Sequence, residues 1–494
     1  MTIAFVFDAR SWEDPRARWT IGSLAPLLDA PWRETLVGSE LPDERVTVFV
    51  GDPASAPADA AVTIPLREWP QLRAASLERA AVDGAPFAAP CGRLTNGGRE
   101  EGLPEEWLPS LWHVLAREEE REDALRDQWG CYSGSFTRLA KIGLLDVPWG
   151  NLAAAALRRR LEAWCGRNER TLPGEPRWKG GAPFAVALSH DVDDVRLRSL
   201  KQSIRLLILA RSAGSYAARG GLTALGQALG ARLWSGSDPY SCFEDWRDAE
   251  LSRGFRSTFF VFARPHAAHE YDALYSLEDR VNYDGGFPRV EEMFRSLAAR
   301  GFEIGLHGSY ESWTSEFMLE RQRAKLTERL GAPVRSTRQH FLRLDLQRTW
   351  DAQEHAGFTT DATLGYNEAV GFRAGIAAPF HPWDDARNRG RALLELPLTL
   401  MDGALFRGLA LSEAEARATT LAHLETVERS CGLAGLLWHP NVVSDRMYPG
   451  WWRCFLAAAD HCVARGAWVT SVGEIAEWWS DRSRRLSGGT DGWR

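Results

Sequence analysis

The stretch Ala185 to Val195, Ala-Val-Ala-Leu-Ser-His-Asp-Val-Asp-Asp-Val, decides how the rest of the chain is read. Ala185 to Leu188 are small or apolar and predict a buried strand, which stops in His190, Asp191, Asp193 and Asp194. Three carboxylates so close together repel one another unless a cation, a proton or an arginine offsets their charge. By itself the cluster is either a solvated acidic turn or the start of a metal site. The remaining chain has to decide.

Outward from this stretch, apolar strand candidates recur with helical segments between them. They lie at 184–189, 257–262, 302–306, 334–339, 358–363, 394–400, 435–438 and 467–471. Alternating strands and helices predict parallel strands with right-handed crossovers, and seven or eight such units predict a closed or nearly closed (β/α) barrel. Helices are expected at 289–300, stopped by Gly301, and at 412–429, opened by the capping box Ser412 to Glu415. Pro397 has no N–H to give a ladder, so it predicts an edge or a bulge within 394–400. The segment at about 196–250 reads as an insertion into the barrel, partly helical and rich in Ala and Gly at its middle.

Before the barrel, residues 2–8, 45–51 and 60–66 read as strands, and Trp107 to Asp127 and Asn151 to Trp164 read as helices. A chain of 494 residues exceeds one ordinary core, so an amino-terminal α/β and helical domain (1–175), a Pro/Gly-rich linker (176–182) and a barrel (183–494) are expected. The 59 basic and 66 acidic residues are well mixed at net charge −7, giving no basic stripe for nucleic acid and no polybasic membrane patch. No basic segment followed by an apolar run opens the chain, and no run approaches a membrane span, so no membrane insertion and a cytoplasmic location are expected. The seven cysteines form no Cys-x-x-Cys pair and read as reduced and structural. Twenty-two tryptophans tilt the reading toward a sugar ligand, since aromatic faces stack on sugar rings, although most tryptophans fill cores.

A parallel barrel carries its chemistry where its strands end. His190 and Asp191 close the first barrel strand, His307 the third, Arg338 and His340 the fourth, and His439 the seventh. Four of the chain's 11 histidines therefore fall at strand ends, which is stronger than any one motif. An arginine one strand from an acidic cluster is a natural partner for it. His381 falls in an expected loop, as a substrate contact or a bystander.

These residues match a family pattern. Ser-His-Asp-Val-Asp-Asp (189–194), Leu-His-Gly-Ser-Tyr-Glu (306–311), Thr-Arg-Gln-His-Phe-Leu-Arg (337–343) and Leu-Leu-Trp-His-Pro (436–440) resemble the motifs of the polysaccharide deacetylases, carbohydrate esterase family four. Ser-Thr-Phe-Phe-Val (257–261) resembles that family's second strand. The whole chain is similar to a divergent subgroup with an amino-terminal α/β-helical domain and a segment like Thr363 to Gly375. The resemblance implies a distorted barrel of the deacetylase type, a divalent metal, Asp191 as base, Arg338 as its orienting partner, His439 as acid, and Asp193 and His307 as ligands. Four residues after His307 the family has a second histidine, whereas this chain has Glu311. The third ligand is then Glu311 or His340, or the site is degenerate; the reading adopted is Asp193, His307 and His340 around Zn²⁺, while Glu311 would favour Mn²⁺ or Mg²⁺. His190 and Asp194 stand as further candidates at the site or behind it.

The activity implied is metal-dependent deacetylation of an N- or O-acetylated carbohydrate or sugar-containing precursor. Phe372, Arg373, Trp383 and Trp438 are the candidates to line the substrate groove, the aromatics by stacking and the arginine by gripping an anionic group. Two alternatives stay open: an inactive carbohydrate-binding barrel, and a hydrolase of another C–N bond on the same fold.

Overall fold

The computed structural model describes the chain except residues 41–43, 71, 73–76, 83–84, 91–102, 123–124, 197–237, 264–268 and 490–494. The amino-terminal part carries four parallel strands, β1 (Thr2–Phe7), β2 (Trp32–Leu36), β3 (Arg45–Gly51) and β4 (Ala60–Pro65), in the order β2-β1-β3-β4. β2 has no apolar alternation to betray it; its Trp32 is buried while Arg33 is exposed. An antiparallel hairpin follows, β5 (Leu77–Val82) and β6 (Ala85–Pro90).

The helix expected over 107–127 is broken. Trp107–Leu115 and Glu118–Glu122 are separate helices, because Arg117 takes a left-handed φ of 59° between them. That turn brings the Arg117 guanidinium inward, where Nε donates to Glu120 Oε1 at 2.8 Å. The second expected helix is present as Trp149–Arg167.

The second sheet holds the strands that position the site. Among the described residues it has nine strands, all parallel where paired: β7 (Ala185–Val192), β8 (Thr258–Val261), β9 (Glu303–Gly308), β10 (Ser336–Gln339), β11 (Thr360–Asp361), β14 (Leu394–Glu395), β15 (Leu400–Met401), β16 (Leu433–Leu437) and β17 (Trp468–Thr470). A small ribbon, β12 (Trp383–Asp384) and β13 (Arg389–Gly390), stands outside it. The path runs β14-β11-β10-β9-β8-β7-β16-β15, with β17 also paired to β7.

The two ends of this path, β14 and β15, are successive pieces of one segment, so the sheet curls back on itself into a distorted barrel. Pro397 sits in the joint. Leu396 N–H donates to Asp361 O (2.9 Å) on one side, and Thr399 N–H donates to Gly435 O (2.9 Å) on the other. A residue without an N–H stands where the chain changes partners, as a bulge requires.

The helices expected at 289–300 and 412–429 are Val290–Ala299 and Glu413–Arg429; the second carries the reciprocal capping box of Ser412 and Glu415. Of the expected insertion, residues 197–237 lie outside the described residues, and its end is the helix Phe243–Leu251. One continuous apolar core runs from Ile3 in β1 through Trp178 and Phe260 to Leu486. The stretch expected to link the two parts is pinned to both. Arg177 Nη2 donates to Asp29 Oδ2 at 2.7 Å, and Trp178, fully buried, stacks on Trp479 at 5.5 Å and donates to Cys431 O at 2.8 Å. Among the described residues no helix is long and apolar enough to cross a membrane.

Candidate metal centre

Alternation along β7 sorts the acidic stretch, because successive side chains of a strand point to opposite faces. Ser189 and Asp191 share one face and meet Arg338 from β10, whose Nη1 donates to Ser189 Oγ (2.8 Å) and Asp191 Oδ1 (2.9 Å). Arg338 is itself held, with Nε on Ala362 O at 2.8 Å and its guanidinium 4.5 Å from the Phe260 ring centroid. His190 takes the other face. Its Nδ1 lies 2.7 Å from Trp438 O and its Nε2 2.8 Å from Glu250 Oε1, with the ring packed against Trp246 and Phe259. His190 is thus a core residue with both nitrogens engaged, and its candidacy as a ligand is corrected.

β9 and β10 run side by side with His307 opposite Arg338. His307 donates from Nδ1 to Arg338 O (3.0 Å), and His340, one residue past β10, donates from Nε2 to Tyr271 O (2.8 Å). A carbonyl can only accept, so each imidazole keeps a proton there and, in its neutral form, turns its other nitrogen inward as an acceptor. The two inward nitrogens, His307 Nε2 and His340 Nδ1, are 3.1 Å apart. Asp193 Oδ1 completes the group at 3.4 Å from His307 Nε2 and 3.6 Å from His340 Nδ1. That oxygen is buried and makes no hydrogen bond.

With both imidazoles neutral three acceptors converge, the donor set of a cation site. Metal–ligand bonds of about 2.0–2.2 Å at tetrahedral angles put ligand atoms about 3.3–3.6 Å apart. The triangle measured here, 3.1, 3.4 and 3.6 Å, has that size. The residues fit a divalent metal.

Two further groups face the triangle. His439, at the end of β16, points Nε2 at Asp193 Oδ2 (3.6 Å). Its Nδ1 and its backbone N–H both meet the buried carboxylate of Asp402, each at 2.8 Å. Asp402 escaped the sequence reading because the strand was drawn as 394–400; split at Pro397, its second piece ends at Met401, and Asp402 stands at a strand end like the other site residues. Asp191 Oδ2 lies 3.7 Å from His307 Nε2.

Burial is the largest single influence on each of these groups. It would raise Asp191, but Arg338, His307 and His439 outweigh it and hold the carboxyl below its usual range. Asp193 is likewise held ionised against burial by His340, His307 and His439. Burial wins at His340 and pushes it down to about 4, so this imidazole is neutral. At His307 the opposing carboxylates of Asp191 and Asp193 prevail and raise the pKa. At His439 the Asp402 carboxylate is the main counterweight to burial and raises the imidazole to about 9.

The other candidates lie elsewhere. Glu311 is half-exposed and faces His269 Nε2 (3.7 Å) and Arg343 Nη1 (3.9 Å). The charge of Asp194 adds to the burial that raises the hydroxyls of Tyr240 and Tyr448. All four expected groove residues are corrected, since none exposes more than 2% of its surface. Phe372 stacks on His423, and Trp383 packs against Trp19 and Trp112 from the amino-terminal part. Trp438 lies in the core beside Phe455. Arg373 grips Glu120 through Nε (2.8 Å) and Nη2 (2.7 Å), so its anionic partner is internal. His381 bonds the Leu393 carbonyl, and its own carbonyl receives Trp19 Nε1.

No protein-family model and no curated protein matches the chain. Solved structures are similar to part of it. One described as a polysaccharide deacetylase from Mycobacterium smegmatis has 21% identity over 62% of this chain and 93% of its own, with a TM-score of 0.41. Another so described, from Pseudomonas aeruginosa PAO1, has 15% identity over 63% and 95%, at 0.40. Puue allantoinase has 14% identity over 63% and 94%, at 0.42.

Proposed function

We propose that this chain is a metal-dependent hydrolase that removes an acetyl group from an N- or O-acetylated carbohydrate or a sugar-containing precursor, with Asp193, His307 and His340 as ligands. The observation that carries the reading is the unbonded, buried Asp193 Oδ1 facing the inward nitrogens of His307 and His340. One carboxylate and two imidazoles leave a fourth position open and suit Zn²⁺. A divalent cation held there would supply Lewis-acid polarisation of the acyl oxygen and a lowered pKa for water.

The chain's own groups divide the remaining work. Asp191, kept ionised by Arg338, takes the proton from water at the oxygen that Arg338 does not occupy. His439 carries its proton at neutral pH, offers it from Nε2 toward the site, and delivers it to the departing amine or alkoxide. Asp402 fixes the orientation of the ring and offsets its charge.

The test is a panel of N-acetylated hexosamine oligomers, O-acetylated sugars, sugar nucleotides and small cyclic amides offered to zinc-loaded protein. Acetate release from the acetylated sugars is the expected result. Turnover of the cyclic amides alone would move the activity to another C–N bond, and turnover of nothing would leave a binding protein.

A further inference from the structure

Immediately after His340 the backbone does something unfavourable twice. Phe341 (φ 57°) and Leu342 (φ 53°) both lie in the left-handed region, which residues bearing a Cβ avoid unless their surroundings hold them there. The barrel supplies part of that support: Asn367 Nδ2 donates to Phe341 O at 2.8 Å, and Leu342 is buried beside Leu398 and Leu437. The Phe341 ring also meets Tyr271 (5.6 Å) and Tyr310 (5.7 Å) edge-on, and further support comes from far away in sequence. Cys131 Sγ lies 3.2 Å from the same Phe341 carbonyl, and the Trp129 ring stacks on the Phe341 ring at 5.5 Å with 27° between planes.

The loop that carries these two residues is itself built. Asp127 Oδ1 accepts the backbone N–H of Trp129 (2.9 Å) and of Cys131 (2.8 Å), and the Asp127 N–H donates to Cys131 O (2.9 Å). Gly130 provides the left-handed residue of the turn, with φ 81°. Just beyond, Gly134 N–H donates to Glu368 Oε1 at 2.6 Å, and a Cβ on Gly134 would stand 2.7 Å from Ala369 Cβ. The amino-terminal segment therefore docks on the barrel along 341 and 367–369, next to the turn that fixes His340.

We propose that the loop Asp127–Ser133 is the outer support of His340, so that the metal centre is completed only with the amino-terminal part docked on the barrel. Trp129 and Cys131 are positioning residues. The inference rests on His340 being a ligand. If the stack on Phe341 is lost, the turn relaxes toward ordinary backbone and His340 Nδ1 leaves the triangle for part of the time. The apparent dissociation constant then rises by the inverse of the fraction still in place. Asp193 and His307 are untouched.

The experiment measures Zn²⁺ affinity of the full-length protein by competition with a chromogenic chelator, together with the unfolding midpoint of the metal-free protein. For His340→Ala the expected loss is about 100-fold or more, and for Trp129→Ala about tenfold, the size seen when groups behind metal ligands are removed. Trp129→Phe keeps a ring on Phe341 and is expected within about threefold of wild type, with the metal-free midpoint of each variant unchanged. Asp127→Ala, which loosens the loop without touching the ring, should lose affinity in the same direction and decides the matter if Trp129→Ala cannot be purified. Wild-type affinity in Trp129→Ala and Asp127→Ala, with His340→Ala impaired, overturns the proposal and leaves the ligand reading standing. Wild-type affinity in His340→Ala removes the ligand reading itself, and the proposal with it.

Discussion

Asp402 grips His439 at two points, Oδ1 on the ring Nδ1 and Oδ2 on the backbone N–H, each at 2.8 Å. The ring cannot turn, its Nδ1 keeps a proton, and the free Nε2 is committed to the side where Asp193 stands. Replacing Asp402 by Asn leaves the shape but lets the amide nitrogen face Nδ1, favouring the wrong tautomer. We expect Asp402→Asn to lower turnover by about 10²-fold or more with bound metal unchanged. Equal turnover would take His439 out of proton transfer.

Asp191 is held by Arg338, which also donates to Ser189, and stands outside the ligand triangle. Asp191→Asn is therefore expected to keep the metal and to lose acetate release by about 10²–10⁴-fold, the range of a general base. Elemental analysis and an acetate assay on the same preparation check both halves. A variant that lost its metal would show Asp191 to be a ligand.

Arg373 and Glu120 form a fully buried bidentate pair between the barrel and the amino-terminal part. Removing one partner strands a charge in the core, so Glu120→Ala should cost about 3–5 kcal/mol of stability. Denaturant unfolding measures it. Because Arg373 is spent internally, the KM of whatever protein remains folded is expected to stay as in wild type.

Asp361 and Glu395 pair across β11 and β14, both fully buried, and both accept from Trp350 Nε1 at 3.1 Å. Burial first, then Asp361, raises Glu395 well above its ordinary value, so the folded chain keeps a proton that the unfolded chain has released. With more protons bound in the folded state, stability is full below the unfolded pKa and falls as pH climbs. Glu395→Gln cannot ionise, and its amide can donate to Asp361 as the proton did. The stability of Glu395→Gln relative to wild type should therefore rise between about pH 5 and 8. A flat difference in urea midpoints would mean that Glu395 is ionised in the folded protein.

Much of the fold was legible because its signals are local. Apolar runs marked strands such as β7, β8 and β16, and Pro397 marked the joint where β14 gives way to β15. Asp193, His307, His340 and His439 were legible as residues at strand ends. Which of them meet was not, because that depends on register. Strand alternation sends Asp191 toward Arg338 and His190 toward Glu250, and only the pairing of β9 with β10 brings His307 beside His340. The aromatic groove failed for a different reason. Trp383 and Phe372 carry the same composition signal whether they face a sugar or a neighbour such as Trp19 or His423, and nothing local tells the two apart. Arg373 failed likewise, since its partner Glu120 lies in the other half of the chain.

The central claim is that Asp193, His307 and His340 hold one divalent ion. Elemental analysis of protein purified with zinc, beside His307→Ala, His340→Ala and Glu311→Ala, tests it most directly. The account predicts about one ion per chain in wild type and in Glu311→Ala, and little or none in the two histidine variants. Metal-free wild-type protein after supplementation, or loss of the ion in Glu311→Ala with retention in His340→Ala, would contradict it.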